Sequence, residues 1–254
     1  MRALLRKIPG LPVLHAVLKQ GSAYRTFKKQ FQVFEALSRR QTRGFALRWK
    51  DRYPCLNDQT ENTHFDRHYV FHLAWAARVL AELKPASHVD IGSSLHFCTM
   101  LSAFIPTKFY DVRPADLQLK GMTSEAANLL ALPHSNNSLS SLSCMHVLEH
   151  VGLGRYGDPL DPEGDLKAFS ELQRVLVPGG SLLIVVPVGQ PRVLFNAHRI
   201  YAYEQIVEAF KGLTLKEFAL IPDDPQEGGL VRDASPDRVK AQTYACGCFW
   251  FQKK

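Results

Sequence analysis

The chain has 254 residues, 46% of them apolar and 22% charged, and a formal net charge of +7. This composition suits one α/β domain with a modest extension, and it excludes collagenous and wholly disordered chains. The longest apolar run, Ser181–Val188, is only as long as a strand, and five scattered cysteines form no dense, even framework. We therefore expect a cytoplasmic protein that is not integral to a membrane.

The positive charge is concentrated near the start of the chain. Residues 1–60 hold 13 Lys and Arg against 3 Asp and Glu, whereas residues 61–254 hold 18 against 21. We interpret residues 1–60 as a basic, mostly helical extension, with an amphipathic helix predicted over Tyr24–Leu37. Its face could pack on the main domain, remain solvated, or make weak contact with an anionic membrane surface. The apolar residues of this helix are Phe27, Phe31, Phe34 and Leu37.

Residues 61–254 alternate between helical and strand patterns. Such alternation, with nearly continuous apolar strands, predicts a doubly wound and mostly parallel sheet. The predicted helices are His64–Leu83, Leu95–Phe104, Asp165–Leu176 and Tyr203–Phe210. The predicted strands are Ser87–Ile91, Lys108–Val112, Ser138–His146, Ser181–Val188, Leu213–Ile221 and Thr243–Phe251, and a helical or loop passage precedes the third of them.

A turn between the first of these strands and the next helix carries the first functional signal. Asp90 ends the strand, Gly92 follows it, and Asp111 stands 21 residues after Asp90 at the end of the next strand. A glycine lets a ligand approach the backbone, and an acid about 20 residues further on can bind ribose hydroxyls. The pattern therefore indicates a nucleoside site.

Four sequence blocks in this order resemble the class I S-adenosylmethionine-dependent methyltransferases. The resemblance implies a seven-stranded sheet with an antiparallel last strand and S-adenosylmethionine as cofactor. It implies that Asp90, Gly92 and Ser93 lie around the methionine part, that Asp111 binds the ribose, and that Asn128 lies near the adenine amine. The four blocks are Val89–Ser93, Phe109–Arg113, Leu132–Ser138 with His146–His150, and Arg174–Gly180.

The segment Glu149–Pro162 is similar to an uncharacterised subfamily of this superfamily. It is a Gly- and Pro-punctuated loop after the predicted fourth strand, so we expect it to overhang the strand ends. Its polar side chains suit a polyhydroxy or anionic acceptor, although a rigid structural loop whose charges cap helices is the alternative. Asn196 and Arg199, after the fifth strand, have the same two interpretations, acceptor clamp or helix cap. The candidate loop residues are Glu149, Arg155, Tyr156, Asp158 and Asp161.

Three histidines are candidates for a general base that removes a proton from an acceptor hydroxyl, with His150 favoured over His146 and His198. The alternative for each is a core or supporting position. No metal site is expected. His64, His68 and His72 recur along one helix, and Cys246 and Cys248 lie in an apolar strand, but both patterns are interpreted as core.

Together these features predict a methyltransferase that acts on a small-molecule or glycan-like acceptor, most simply at oxygen. Leu95 and His96 stand where relatives carry further glycines. This difference leaves a catalytically inactive binding or membrane-associated accessory protein as the alternative. The lack of an aromatic and basic interleaved pattern argues against a nucleic acid substrate.

Overall fold

A computed structural model describes residues 11–40 and 44–254 of the chain. Residues 1–10 and 41–43 of the predicted basic extension lie outside the described residues. The chain forms two compact units that divide between His64 and Phe65. Among the described helices, none is long and apolar enough to cross a membrane.

The first unit contains a long helix, α1, over Leu11–Ser38. The helix begins well before the predicted start at Tyr24. Pro12 does not interrupt it, because this residue lies in the first turn, where a missing N–H removes no helical hydrogen bond. The predicted apolar face divides into two parts. Phe27 and Phe31 pack on Trp49, with ring centroids 6.1 and 4.9 Å apart. The part that stays exposed consists of Phe34 and Leu37, at 60% and 56%, and the neighbouring Val33, outside the predicted face, is 61% exposed.

The second unit, fully described from Phe65 to Lys254, is a three-layer α/β structure around an eight-stranded sheet. Its helices are α2 Arg67–Leu83, α3 Leu95–Leu101, α4 Gly164–Val175, α5 Tyr203–Ala209 and α6 Pro236–Lys240. Its strands are β1 His88–Ile91, β2 Thr107–Asp111, β3 Met122–Ala126, β4 Leu139–Met145, β5 Leu176–Val188, β6 Arg192–Leu194, β7 His198–Ile200, β8 Leu213–Ile221, β9 Val231–Arg232 and β10 Ala245–Lys253.

The strand order in the sheet is β3-β2-β1-β4-β5-β10-β8-β9. The pairs from β3 to β5 are parallel, whereas β10 runs antiparallel to both β5 and β8. The strands β6 and β7 form a separate hairpin. The predicted doubly wound, mostly parallel sheet is thus confirmed, including its antiparallel last strand.

The apolar strand β5 explains why helices cover both faces of the sheet. Leu182, Ile184 and Val186 belong to the core under α4 and α5. The alternate residues Leu183 and Val185 belong to the core under α2 and α3. Because successive side chains of a strand point to opposite faces, a strand without polar positions needs an apolar layer on each side.

The structure differs from the predicted elements where side-chain patterns are weak. Strand β3 lies at the sheet edge and is mostly exposed, so its polar sequence lacks apolar alternation. The two-residue β9 adds an eighth strand to the expected seven. Residues 177–180, which lie between the predicted helix Asp165–Leu176 and the predicted strand Ser181–Val188, form a bulge within β5, because Leu139 pairs with Leu176 and Ser141 pairs with Ser181.

Candidate functional site

A cavity of about 970 Å³ opens where β1, β2 and β4 end. Ligands of open α/β sheets bind at these carboxyl ends, and this volume is that of a pocket for a small molecule. Most of the residues proposed from the sequence meet here. Those that line the cavity are Gly92, Ser93, Asp111, His146, Glu149, His150, Arg155, Tyr156, Asn196 and His198.

The backbone turns sharply after β1, where Gly92 and Ser93 line the cavity. Gly92 has a φ of 64°, which favours glycine, and a Cβ atom there would lie 3.2 Å from Val147 and 3.6 Å from the Asp111 carboxylate. Asp111 Oδ1 accepts a hydrogen bond from the backbone N–H of Arg113 at 2.7 Å. The absent side chain of Gly92 therefore leaves room beside an acid that faces the cavity.

Asp90 lies beneath this turn and is completely buried, so it supports the turn instead of lining the cavity. Its Oδ1 accepts from the backbone N–H of Ser93 at 3.0 Å, and its Oδ2 accepts from the Ser143 hydroxyl. His88 Nε2 lies 2.8 Å from the same hydroxyl, and its Nδ1 lies 2.7 Å from Ser141. Both ring nitrogens of His88 therefore have a serine hydroxyl as partner.

Burial lowers the pKa of His88 to about 3. Burial raises the pKa of Asp90, an effect that the hydrogen bonds from Ser143 and Ser93 oppose. Both shifts favour the neutral forms of these groups. The chain from His88 through Ser143 to Asp90 is thus a buried polar support for the glycine turn.

Lowering the pH from 7 to 5 is expected to destabilise the fold, with His88 accounting for about 2 kcal/mol of the lost free energy of unfolding. The folded-state pKa of about 3 lies below the ordinary 6.5. Between these values the unfolded chain takes up a proton that folded His88 does not, so unfolding is favoured as pH falls. Denaturant titrations at pH 7 and pH 5 should show a smaller loss for His88→Gln than for wild type; equal losses would contradict the prediction.

His150 also lines the cavity and has the geometry of a base. Its Nδ1 lies 2.6 Å from the carbonyl oxygen of Ala197, which can only accept, so Nδ1 carries the hydrogen. The lone pair is then on Nε2, which lies 3.8 Å from Glu149 Oε1. A buried carboxylate at this distance would stabilise the imidazolium formed when Nε2 takes a proton.

The other two candidate bases have different surroundings. His146 Nδ1 lies 2.9 Å from Glu149 Oε1 and its Nε2 lies 3.5 Å from the Cys246 thiol, so both ring nitrogens already have partners. His198 packs on Tyr244, with ring centroids 5.1 Å apart, and burial lowers its pKa. Within the described residues its Nε2 is buried without a hydrogen-bond partner. His150 is therefore the best-placed base of the three.

A stacked group of cationic and aromatic side chains forms one wall of the cavity. The guanidinium of Arg113 lies 4.8 Å from the Tyr156 ring centroid, and that of Arg155 lies 5.2 Å from it. Arg155 also donates to the carbonyl of Ala197 at 3.0 Å. Two cations at the wall favour a ligand that carries a carboxylate, phosphate or similar anionic group.

The Glu149–Pro162 loop is held by its own backbone bonds, and Asp158 is central to it. The Asp158 carboxylate accepts from the N–H groups of Gly152, Gly154 and Tyr156 at 2.8, 3.3 and 3.2 Å. Although partial desolvation opposes the shift, these bonds lower the Asp158 pKa. Gly152 has a φ of 80°, and a Cβ there would lie 2.0 Å from the Asp161 carbonyl. Asp158 therefore shapes the loop from outside the cavity.

Three further residues proposed from the sequence also lie outside the cavity. Arg199 donates to the carbonyls of Val151 and Pro162 at 2.6 and 3.2 Å. Asp161 pairs with Lys167 at 2.6 Å. Asn128 accepts from the backbone N–H of Leu130 at 2.9 Å in a local turn. Because their polar atoms bond to the chain itself, these side chains brace loops around the cavity.

Several cavity residues were not singled out by the sequence. Tyr69 and Tyr244 carry no local motif, and Arg113 was seen only as the end of a block. Leu95 and His96 also line the cavity, at the start of α3. The position of Leu95 and His96 just after the glycine turn could have placed these two residues at the cavity. The sequence carries no such signal for Tyr69 and Tyr244, because they come from α2 and from the segment before β10.

Comparisons with known proteins place the fold in a class. A family model described as "Caenorhabditis protein of unknown function, DUF268" matches residues 131–219. No curated protein sequence matches the chain. Among solved structures, the YcgJ protein of Bacillus subtilis is 15% identical with a TM-score of 0.51, over 73% of this chain and 99% of that one.

Two similar structures are named for methyl transfer. One is a candidate sarcosine dimethylglycine methyltransferase from Galdieria sulphuraria, at 16% identity and a TM-score of 0.52, over 73% of this chain and 86% of that one. The other is the N-methyltransferase NodS of Bradyrhizobium japonicum in complex with S-adenosyl-L-homocysteine, at 15% identity and a TM-score of 0.51, over 74% and 87%. The fold is thus that of the class I S-adenosylmethionine-dependent methyltransferases, and at these identities the likeness shows fold alone.

Proposed function

We propose that the protein is an S-adenosylmethionine-dependent methyltransferase that acts on an oxygen of a small-molecule or glycan-like acceptor. The observation that carries the proposal is one cavity that Gly92, Asp111 and His150 line together. The space that a side chain at Gly92 would fill fits a ligand drawn close to the backbone. Asp111 would hold the ribose hydroxyls, and Gly92 with Ser93 would border the methionine part.

When bound, S-adenosylmethionine supplies an electrophilic methyl group. The chain's own part is to align the acceptor and to remove its proton. His150 Nε2 takes the proton from the acceptor hydroxyl, and Glu149 stabilises the resulting imidazolium. Arg113 and Arg155 hold an anionic part of the acceptor, and Asn196 and His198 offer hydrogen-bonding groups in the same wall.

Calorimetric titration of the purified protein with S-adenosylmethionine and with S-adenosyl-L-homocysteine tests the cofactor assignment. We expect saturable binding of both ligands at one site per chain. The absence of heat with either ligand, for a protein that unfolds cooperatively, would refute it. Methyl transfer can then be followed with labelled cofactor against acceptors that carry both hydroxyl and anionic groups.

A catalytically inactive accessory protein is the second candidate function. Leu95 and His96 occupy the wall of the cavity just after the glycine turn, where they take up room beside the expected cofactor position. Such a protein would bind acceptor-like ligands without turnover. Cofactor binding followed by no transfer to any acceptor that binds the cavity would favour this candidate.

We also propose that the protein is cytoplasmic and that its first unit makes a weak, peripheral contact with anionic membranes. The exposed Val33, Phe34 and Leu37 lie on a helix that also carries Lys28 and Lys29. An apolar patch among cations is the pattern of helices that lie in a membrane interface.

Vesicles that contain phosphatidylserine should bind the full chain, and binding should fall steeply as salt rises because exposed charges act within about one Debye length. Replacing Val33, Phe34 and Leu37 together by serine should reduce binding several-fold in a sedimentation assay. Phe104→Ser removes a side chain of the second unit that is 86% exposed and is the matched control. Equal binding by the triple variant and the control would show that this helix plays no part.

A further inference from the structure

Three potential metal ligands from distant parts of the chain meet beside the cavity. They are a ring nitrogen of His68 on α2, a ring nitrogen of His146 after β4, and the thiol of Cys246 on β10. These atoms all lie within 4.8 Å of one another. From the sequence alone, His68 and Cys246 were interpreted as core residues, because no sequence pattern links α2 to the last strand.

The distances suit a small ion bound by nitrogen and sulfur. A tetrahedral Zn²⁺ site with ordinary Zn–N and Zn–S bonds separates nitrogen from sulfur by about 3.5 Å. His146 Nε2 lies 3.5 Å from Cys246 Sγ. The other separations in the group are at most 4.8 Å, so they exceed the tetrahedral value by no more than about 1.3 Å.

A carboxylate orients the central ligand as in many zinc sites. Glu149 Oε1 lies 2.9 Å from His146 Nδ1, which places the ring hydrogen on Nδ1 and the lone pair on Nε2, toward Cys246. Metal-binding histidines almost always donate their second N–H to such a partner, which fixes the tautomer and increases the basicity of the ligand.

The second oxygen of the same carboxylate is an independent observation. The Glu149 side chain is 1% exposed, and within the described residues its Oε2 is buried without a hydrogen-bond partner. A buried polar oxygen without a hydrogen-bond partner is unfavourable unless a compensating charge or donor lies nearby. A divalent ion on His146 would supply a compensating positive charge.

We propose that His68, His146 and Cys246 bind one Zn²⁺ ion. The Zn–S bond forms as Cys246 releases its thiol proton to solvent, so each ion bound releases one proton from that ligand. The cavity reaches His146 and Tyr244, so the fourth coordination position is open to water or to an oxygen of the acceptor. The donor set of two imidazoles and a thiolate selects zinc and similar late transition metals over Mg²⁺ or Ca²⁺.

Metal binding can be measured without cofactor or acceptor, so its test is separate from that of methyl transfer. The full chain, carrying Cys55→Ser to remove the exposed thiol, is stripped with chelator and titrated with Co²⁺. We expect one equivalent to produce thiolate-to-cobalt absorption in the near ultraviolet and the visible bands of tetrahedral Co²⁺. One equivalent of Zn²⁺ should abolish both.

Matched variants assign the ligands. Cys246→Ser should lose the thiolate absorption, and His146→Gln and His68→Gln should each weaken Co²⁺ binding at least tenfold. Cys144→Ser is the control, because Cys144 is an equally buried cysteine outside the cluster, and it should bind like the parent. Circular dichroism and thermal unfolding confirm that each variant is folded.

Two results would overturn the proposal. One is a folded parent protein that shows no thiolate absorption at stoichiometric Co²⁺, in which case Cys246 and His146 form only a hydrogen bond in the core. The other is unchanged absorption in Cys246→Ser, which would place the metal elsewhere.

Discussion

His150→Ala is expected to lower kcat for methyl transfer by about 10² to 10⁴-fold while leaving the dissociation constant of S-adenosylmethionine unchanged. The side chain lines the cavity, with the lone pair on Nε2 and Glu149 Oε1 3.8 Å from that nitrogen. Its loss removes proton transfer but no part of the glycine turn that faces the cofactor. Single-turnover kinetics and calorimetry measure the two effects separately.

Parallel variants of His146 and His198 rank the candidate bases, and His134→Gln, outside the cavity, controls for a general effect of losing a histidine. A large loss in His198→Ala with normal turnover in His150→Ala would move the role of base to His198. If all three cavity variants remained fully active, the enzyme would work by alignment alone.

Asp111→Ala is expected to weaken cofactor binding by about 10² to 10⁴-fold. The carboxylate can accept two hydrogen bonds from a ribose, and each bond to a charged group contributes roughly 1.5 to 3 kcal/mol. Titration with S-adenosyl-L-homocysteine measures the change directly, without any knowledge of the acceptor.

Two further variants separate binding from loop structure. Asp111→Asn keeps an oxygen that can accept from the backbone N–H of Arg113, so it should preserve the turn yet still bind cofactor more weakly. Asp116→Ala removes an exposed carboxylate outside the cavity from the same segment and should bind normally. Wild-type affinity in Asp111→Ala would exclude the ribose assignment.

The parts of the fold that could be predicted are those whose pattern is local. The apolar run of β5 and the strand, glycine turn and helix at Gly92 each carry their signal within about ten residues. Strand β3, which is mostly exposed, and the β6–β7 hairpin, whose strands have three residues each, could not be predicted in this way, because such strands are set by their neighbours and not by their own periodicity.

The same distinction holds for the candidate site. Gly92, Asp111 and His150 follow strands at a shared edge of the sheet, so their meeting follows from topology. Asp158 and Arg199 were proposed to contact the acceptor because of their charge. The sequence could not show that backbone groups of the loop already use that charge. The meeting of His68 with Cys246 depends on the packing of α2 against β10, which no spacing reveals.

The internally bonded loop also bears on acceptor selectivity. The Asp158 carboxylate accepts from three N–H groups of the loop, and Arg199 donates to the carbonyls of Val151 and Pro162. These bonds are in place before any acceptor binds. Little conformational entropy then remains to be lost on binding, and the wall at Tyr156 keeps its shape. Such a preorganised wall rejects ill-fitting molecules by steric exclusion. A rigid acceptor that fits should therefore bind with a small entropic cost. Enlarging that acceptor by a single ring should abolish binding instead of weakening it gradually.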